Sequence, residues 1–493
     1  MILRRSKSFL VLSFFVLSLT AFGQKDKQLF SFISDATDKV LAQPSSPASV
    51  REAFISFEDQ AFRSGVTDSI HIPLFDGKSY QANAINIERR SMDNYSWHGK
   101  IYEKGFEGDV SLTFYKGFVS GLIYSPEAVF EILPRGDKQI LMQLDQDLFP
   151  PCGGAVEGDK PQLMEANKIA ASGVAQDSGD RIDVVIVYTT ATKNLLGGDT
   201  QARTFAQQAV DSANAAYLNS KIRQRLRLVH SQELAYTESG SHQTDLSAFR
   251  NNTAMHALRN THNADMMAQL SEITTACGVA YFMGALPGNA NNAYSVTARS
   301  CAIGNVTFAH ELGHNMGSDH NVQNTAGPTF PYSHGHFVNG NYRTVMSYTD
   351  WCVGGCARRP IFSNPSIVYQ GSPAGVIADR DNARSINNTA DYIANYRYSG
   401  KSITMTNFNG QNMVPRMLNN TVTWTSNNVT GNLKIELSRN ETTSWETLVT
   451  NVPNTGSAKI NIYGAATKNA RLRISSLNDP TVSDTSVNNL FIR

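Results

Sequence analysis

With 493 residues, 43 basic and 42 acidic side chains, the chain carries a formal charge of +1, and only 17% of it is charged. That balance excludes a polybasic nucleic-acid binder and a protein held to anionic lipid by charge. The length leaves room for two or three domains.

Residues 1–23 have the layout of a secretory signal. Arg4, Arg5 and Lys7 form a basic start, Phe9 to Leu19 is apolar apart from two serines, and Ala21-Phe22-Gly23 offers small residues at the cleavage-defining positions. The apolar run is shorter than the roughly 20 residues a membrane span requires. The mature protein is therefore expected to be secreted, with no membrane insertion once the signal is removed.

A first unit is expected over 24–180. Val110 to Phe114, Gly117 to Ile123 and Gln139 to Leu144 alternate apolar with polar between Gly and Asp turns, so this unit reads as β-rich. Glu157 to Asp180 is polar and aperiodic, an exposed linker open to proteolytic nicking. Just ahead of it, Pro150-Pro151-Cys152-Gly153-Gly154 holds one of only five cysteines.

A second unit, 181–398, opens on the β-branched run Arg181 to Thr189, a buried strand. Asp199 or Thr200 caps a helix on which Ala206, Ala209, Val210, Ala213, Ala216 and Tyr217 recur at helical spacing. Strands are expected over Arg225–Leu234, Asp265–Ile273 and Gly278–Phe282, and a helix over Ala254–Asn260. Strands alternating with helices imply an α/β sheet. A metal-binding helix should start near Asn305, capped by its side chain, and stop at Gly317. Asp379 to Tyr396 has the spacing of a closing helix beneath the site. From 399 to 493 the composition shifts to Asn, Thr and Ser. Thr421–Trp424, Leu433–Leu437, Lys459–Tyr463 and Arg471–Ile474 alternate there as short strands, which suggests a C-terminal β-sandwich.

The chemistry is concentrated in His310-Glu311-Leu312-Gly313-His314-Asn315-Met316-Gly317-Ser318-Asp319-His320. Two histidines four apart on a helix are turned by roughly 400°, so both rings leave one face and can take adjacent corners of a tetrahedron. Gly317 permits a sharp turn that returns His320 as a third ligand, which leaves one position open for water. Glu311 is placed to reach that water without binding the metal. One catalytic zinc is the expected cofactor; calcium binding cannot be read from the sequence. Thr344-Val345-Met346-Ser347-Tyr348 completes the pattern known as the metzincin signature, HExxHxxGxxH followed by a Met-turn. Cys277 and Cys301 flank the loop before the metal helix, and Cys352 and Cys356 follow the Met-turn. Pairing within each couple closes locally around the site, although spacing alone leaves connectivity open. Cys152 is then the odd thiol. As a strong zinc ligand it could fill the open position and leave with a cleaved prosegment; the alternative is an intermolecular or differently paired disulfide.

The stretch from Arg181 to Arg397 resembles the reprolysin-like branch of the metzincin zinc endopeptidases, and within it the secreted peptidyl-Asp metalloendopeptidases. Beyond the metal motif the resemblance rests on Tyr342 to Tyr348, Phe362-Ser363-Asn364-Pro365 and Asp381 to Asn387. It implies an α/β zincin fold with a twisted mixed sheet, in which the strand before the metal helix pairs with extended substrate. It implies further that His310, His314 and His320 bind zinc, Glu311 is the base and Met346 lies beneath the metal. The upstream unit is similar to a propeptide, and the C-terminal unit to Ig-like modules that could dock to a surface or to substrate. The surroundings of Cys152 lack the Arg and Asp of matrix metalloproteinase switches. Two positions depart from animal reprolysins: Asn321 stands where Asp is usual, and Tyr348 where Pro is usual. Met-x-Tyr is similar to astacins and serralysins, which implies a hydrogen bond from Tyr348 to the developing oxyanion. His334 and His336 are expected to be solvated loop residues. Arg343, Arg358 and Arg359 could supply a positive pocket for an acidic substrate side chain.

The expected activity is hydrolysis of peptide bonds in proteins or peptides by a secreted zymogen. The alternative is an exported adhesin with an inert zincin domain, and the intact Glu311 argues against it.

Overall fold

The computed structural model describes residues 27–33, 44–57, 68–160, 176–325, 327–408, 412–417, 419–441 and 444–493. The expected signal, 1–23, and residues 161–175 of the expected linker lie outside the described residues.

The first unit is a ten-stranded sheet. Its spine is an antiparallel meander of Ser69–Pro73, Ser79–Ser91, Asn94–Glu103, Phe106–Tyr115, Phe118–Tyr124, Val129–Arg135 and Lys138–Leu144, with Ser49–Phe57 and Phe30–Phe32 beyond the last strand. The two faces follow the period of two. Val110, Leu112 and Phe114 enter a cluster with Trp97 and Ile132, while Leu122, Tyr124, Leu133 and Met142 join the core of the second unit.

Ahead of that second unit's own strands comes β1 (Ala155–Glu157). Then follow β2 (Arg181–Thr189), α1 (Asp199–Asn219), β3 (Arg225–Leu234), α2 (His242–Asn251), α3 (Thr253–Thr261), β4 (Met266–Ser271), β5 (Gly278–Phe282), β6 (Tyr294–Ala298), α4 (Thr307–Asn315) and α5 (Asn382–Ile393). The six strands form one mixed sheet, ordered β1-β5-β6-β4-β2-β3, in which only β5–β6 pairs antiparallel. β2 is buried along its whole length, as an unbroken apolar run in a parallel sheet must be. Helix α1 lies between this sheet and the first unit. Its Ala206, Ala209 and Ala213 are buried in the shared core, while Gln208 donates to the Ser111 carbonyl at 3.1 Å and Asp211 pairs with Arg90 at 2.8 Å.

Several boundaries differ from expectation, and three of them have a clear local reason. Helix α1 has Gly198 at its cap position, because the Asp199 carboxylate instead accepts from the Tyr188 hydroxyl at 2.8 Å. The fourth strand starts at Met266 because Asp265 turns its carboxylate onto the N–H groups of Asp183 and Arg397, at 2.8 and 3.1 Å. Helix α4 starts at Thr307, not at Asn305. Val306 takes the preceding position with a φ of 53°, and the Asn305 amide points at Cys277 Sγ, 3.5 Å away.

The third unit consists of a three-stranded and a six-stranded sheet around one core containing Ile403, Trp424, Ile435, Leu472 and Ile474. It is docked on the second unit. Lys221 pairs with Glu441 at 2.7 Å, and Arg181 Nη1 donates to the Thr481 carbonyl at 3.0 Å. No helix among the described residues is long and apolar enough to cross a membrane.

Candidate metal centre

His310 and His314 project from α4, and His320 from the short strand Asp319–Asn321 after the Gly317 turn. Gly317 has a φ of 81°, and a Cβ there would meet Thr329 Oγ1 at 2.7 Å. Both facts restrict the position to glycine, and that turn is what brings His320 back. The buried Asp319 holds the returned segment: its carboxylate accepts from the His320 N–H at 2.7 Å and from the Thr325 hydroxyl at 2.7 Å.

The three rings converge. His314 Nε2 lies 3.0 Å from His320 Nε2, which lies 3.3 Å from His310 Nε2. His310 Nδ1 donates to the Val345 carbonyl at 2.8 Å and His314 Nδ1 to the Ser318 carbonyl at 3.0 Å. With their Nδ1 atoms protonated, both rings turn an Nε2 lone pair inward. Burial keeps them neutral. It is the largest cause pushing His314 down to about 4, and it holds His310 and His320 well below the usual imidazole range, helped by the neighbouring rings. Lone pairs facing one another at these separations repel unless a cation lies between them. The spacings match the roughly 3.4 Å edge of a tetrahedron with ligand distances of about 2.1 Å. The three histidines therefore fit one divalent ion.

A fourth atom sits at the remaining corner. Cys152, with no disulfide partner, places Sγ 3.3 Å from His310 Nε2 and 3.9 Å from His320 Nε2. The four candidate ligand atoms all lie within 4.8 Å of one another. Burial and the adjacent Glu311 carboxylate push this thiol up, so only a cation at the centre would favour the thiolate. Immediately downstream, β1 lies parallel along the outer edge of β5, with Ala155 opposite Ala280 and Glu157 opposite Phe282. The edge that the resemblance assigns to substrate is thus covered by the chain's own segment.

Glu311 is fully buried. Its Oε1 lies 3.6 Å from Cys152 Sγ, and its Oε2 has no partner among the described residues. Burial pushes its carboxyl up to about 8, against the lowering influence of Cys152 and Arg358. Two glycines absent from the expected site make room for this arrangement. A Cβ on Gly278 would meet Glu311 Oε1 at 2.7 Å, and one on Gly313 would meet Met346 Sδ at 2.7 Å. Only the second had a visible signal, as a glycine within a metal-binding helix.

Met346 is buried under α4. The ring of Tyr348 stands 4.2 Å from that of His320. Asn321 accepts from the Tyr348 N–H at 3.1 Å and so ties the third histidine's strand to the Met-turn. The structure joins Cys277 to Cys301 and Cys352 to Cys356. His334 and His336 are buried rather than solvated, because the segment after the metal motif folds under the site. Neither joins the ligand cluster; His334 Nδ1 donates to the His320 carbonyl at 3.1 Å. Arg343 and Arg358 are likewise buried, and Arg359 lies against the rings of Phe106 and Tyr124.

A helix-borne pair of imidazoles, a third returned by a glycine turn and a carboxylate beside them on a mixed α/β sheet define a metallohydrolase. The family described as Metallo-peptidase family M12B Reprolysin-like matches residues 180–379. A peptidyl-Asp metalloendopeptidase of Stenotrophomonas maltophilia (strain R551-3) is 32% identical over 293 residues, covering 57% of this chain and 68% of that protein. One of Xanthomonas campestris pv. campestris is 31% identical over 288 residues, covering 57% and 67%. One of Pseudomonas fragi is 31% identical over 190 residues, covering 38% of this chain and 99% of that protein. The chain belongs to the reprolysin-like metallopeptidases and is a metalloendopeptidase.

Proposed function

We propose that the chain is the latent form of a secreted zinc endopeptidase that cleaves proteins beside aspartate. In this reading residues 1–23 are a signal, 24–180 an inhibitory prosegment, 181–398 the catalytic domain and 399–493 an Ig-like module that assists docking. The observation that carries it is Cys152 Sγ at the open corner of the His310, His314 and His320 cluster.

His310, His314 and His320 would hold the zinc, and Val345 and Ser318 fix the orientation of the first two rings. When bound, the ion supplies Lewis acidity to water and to the scissile carbonyl. Glu311 takes the water proton and delivers it to the leaving amine. Its buried position next to His310 on the same helix suits it to both halves of that transfer. The Tyr348 hydroxyl donates to the oxygen on which negative charge grows. Cleavage within 161–175 would release Cys152 and β1 together and so uncover both the open corner and the β5 edge. The Asp preference is supported by the relatives' activity.

The test is to process the purified protein by limited proteolysis and measure metal content and casein cleavage. One zinc per chain and chelator-sensitive cleavage are expected, and Glu311→Gln should keep the zinc yet lose nearly all turnover. A processed protein without metal, or a Glu311→Gln variant within tenfold of the parent, would overturn the proposal.

A further inference from the structure

Two guanidinium groups are buried beside the Met-turn. Arg343 is 4% exposed and Arg358 3%. Both donate to the carbonyl of Ser347, the residue between Met346 and Tyr348, at 2.9 and 3.4 Å. A buried cation is costly unless something answers its charge. Elsewhere in the protein that is done. Arg299 pairs with Glu272 at 2.7 Å, and Arg223 with Asp180 and Asp391 at 3.2 and 2.7 Å. Arg259 pairs with no carboxylate among the described residues, but it gives its guanidinium to the carbonyls of Ala264, Ala290 and Asp265 and lies over the Tyr294 ring.

Arg358 is answered less fully: no carboxylate among the described residues pairs with it, and two carbonyls receive its guanidinium. Its Nη1 and Nη2 reach the Asn305 and Ser347 carbonyls at 3.1 and 3.4 Å, and its Nε has no partner among the described residues. Burial pulls its guanidinium down from the usual range, and the ionisable side chains that oppose this are Cys152, Tyr348 and Glu311 of the site, with Tyr124. The segment ahead of the linker closes over it. Gln146 accepts from the Arg358 backbone N–H at 2.6 Å and donates to the Gly304 carbonyl at 3.3 Å. Once that segment leaves, Cys152 leaves with it, and a buried fork of N–H donors needs an anion from outside.

We propose that Arg358 is the specificity-determining residue of the processed enzyme, its guanidinium receiving the side-chain carboxylate of the substrate residue next to the scissile bond. Arg343 is a positioning residue that fixes the shared Ser347 carbonyl. A planar fork accepts a carboxylate through two parallel hydrogen bonds. It rejects the amide of Asn, whose NH2 would face donors with another donor. This rests on the endopeptidase reading above and adds to it the side chain that does the reading.

The experiment compares kcat/KM on two peptides that differ only in Asp or Asn beside the scissile bond, using the processed, zinc-loaded parent, Arg358→Met and Arg358→Lys. The parent should favour Asp by on the order of a hundredfold. The ratio should fall to within about threefold of unity in Arg358→Met and to an intermediate value in Arg358→Lys, which keeps the charge but loses the fork. The ratio within one variant does not depend on how much total activity that variant keeps. If Arg358→Met fails to fold, the Lys variant decides. A parent that cuts both peptides equally, or an Asp preference unchanged in the variants, overturns the proposal while leaving the endopeptidase reading intact. A parent that cuts neither peptide overturns both.

Discussion

Replacing Glu131 by glutamine should remove a pH dependence from the stability of the unprocessed chain. Glu131 lies on the strand Val129–Arg135, fully buried against the loop that leads into α4. Its Oε2 accepts from the Gly304 N–H at 3.0 Å, and its Oε1 has no partner among the described residues. Burial pushes its carboxyl from 4.5 up to about 8, Arg299 and the Gly304 N–H oppose the rise, and Glu52 adds to it. Arg299 is already committed to Glu272. A folded pKa above the unfolded one means that the unfolded chain releases this proton first. The stabilisation is therefore complete below about pH 4.5 and is lost as pH climbs through about 8. A rise of that size integrates to about 5 kcal/mol. A carboxylate that admits water on ionising recovers part of this, so a loss of about 2–3 kcal/mol between pH 5 and 9 is expected. Glutamine keeps the acceptor for Gly304 and cannot ionise. Urea unfolding of both forms in a Glu311→Gln background, at pH 5, 7 and 9, reads the effect. The two forms should agree near pH 5, and the glutamine form should be the more stable by pH 9. A difference that stays flat over this range would refute the reasoning.

Cys152→Ser should give the unprocessed chain peptidase activity at least tenfold above the parent, still short of the processed enzyme because β1 continues to cover β5. No gain on a chromogenic peptide would remove Cys152 as the lock. In the processed enzyme, Tyr348→Phe should lower kcat by about 10–100-fold with KM and zinc content little changed. An unaltered kcat would leave Tyr348 as a packing residue. Gly278→Ala should press a methyl group on the Glu311 carboxylate, whose Oε1 is 2.7 Å from the site of that Cβ. It should cost about a hundredfold in kcat with metal retained, and wild-type turnover would show that the carboxylate has room to move.

What the sequence made visible is what repeats or what is chemically rare. The β-branched run over β2 gives that strand to the residue, because a buried strand needs little besides its apolar run, and the bounds expected for β3 and β5 also match. The metal motif is legible because its helical offset and its glycine are local. Contacts that join distant segments are not. Nothing in the local pattern says that Asn305 would serve Cys277 instead of capping a helix, or that Arg343 and Arg358 would be buried. The same holds for Gly278, which reads as an ordinary strand glycine until Glu311, 33 positions later, is packed against it. Cys152 was singled out by counting thiols, but its distance from His310 depends on the whole first sheet being docked on α1.

The bonds that orient the centre all lie outside the segment proposed to leave. His310 is held by Val345, His314 by Ser318, and His320 by Asp319 and the strand that Asn321 ties to Tyr348. Asn315, at the end of α4, donates to the carbonyls of Tyr281, Asn292 and Tyr294 and so pins the helix to β5 and β6. The first unit contributes the Cys152 thiol and a strand to the site, with Glu131 and Gln146 clasping the loop before α4. Its departure would therefore expose the histidines without disassembling them. The loop from Gly304 to Val306 is where strain from that departure would fall, since it loses the acceptor on its Gly304 N–H and the donor on its Gly304 carbonyl together. For the proposed latent form that division has a use: the parts that set ligand geometry are separate from the parts that deny access, and proteolysis would remove the second set alone.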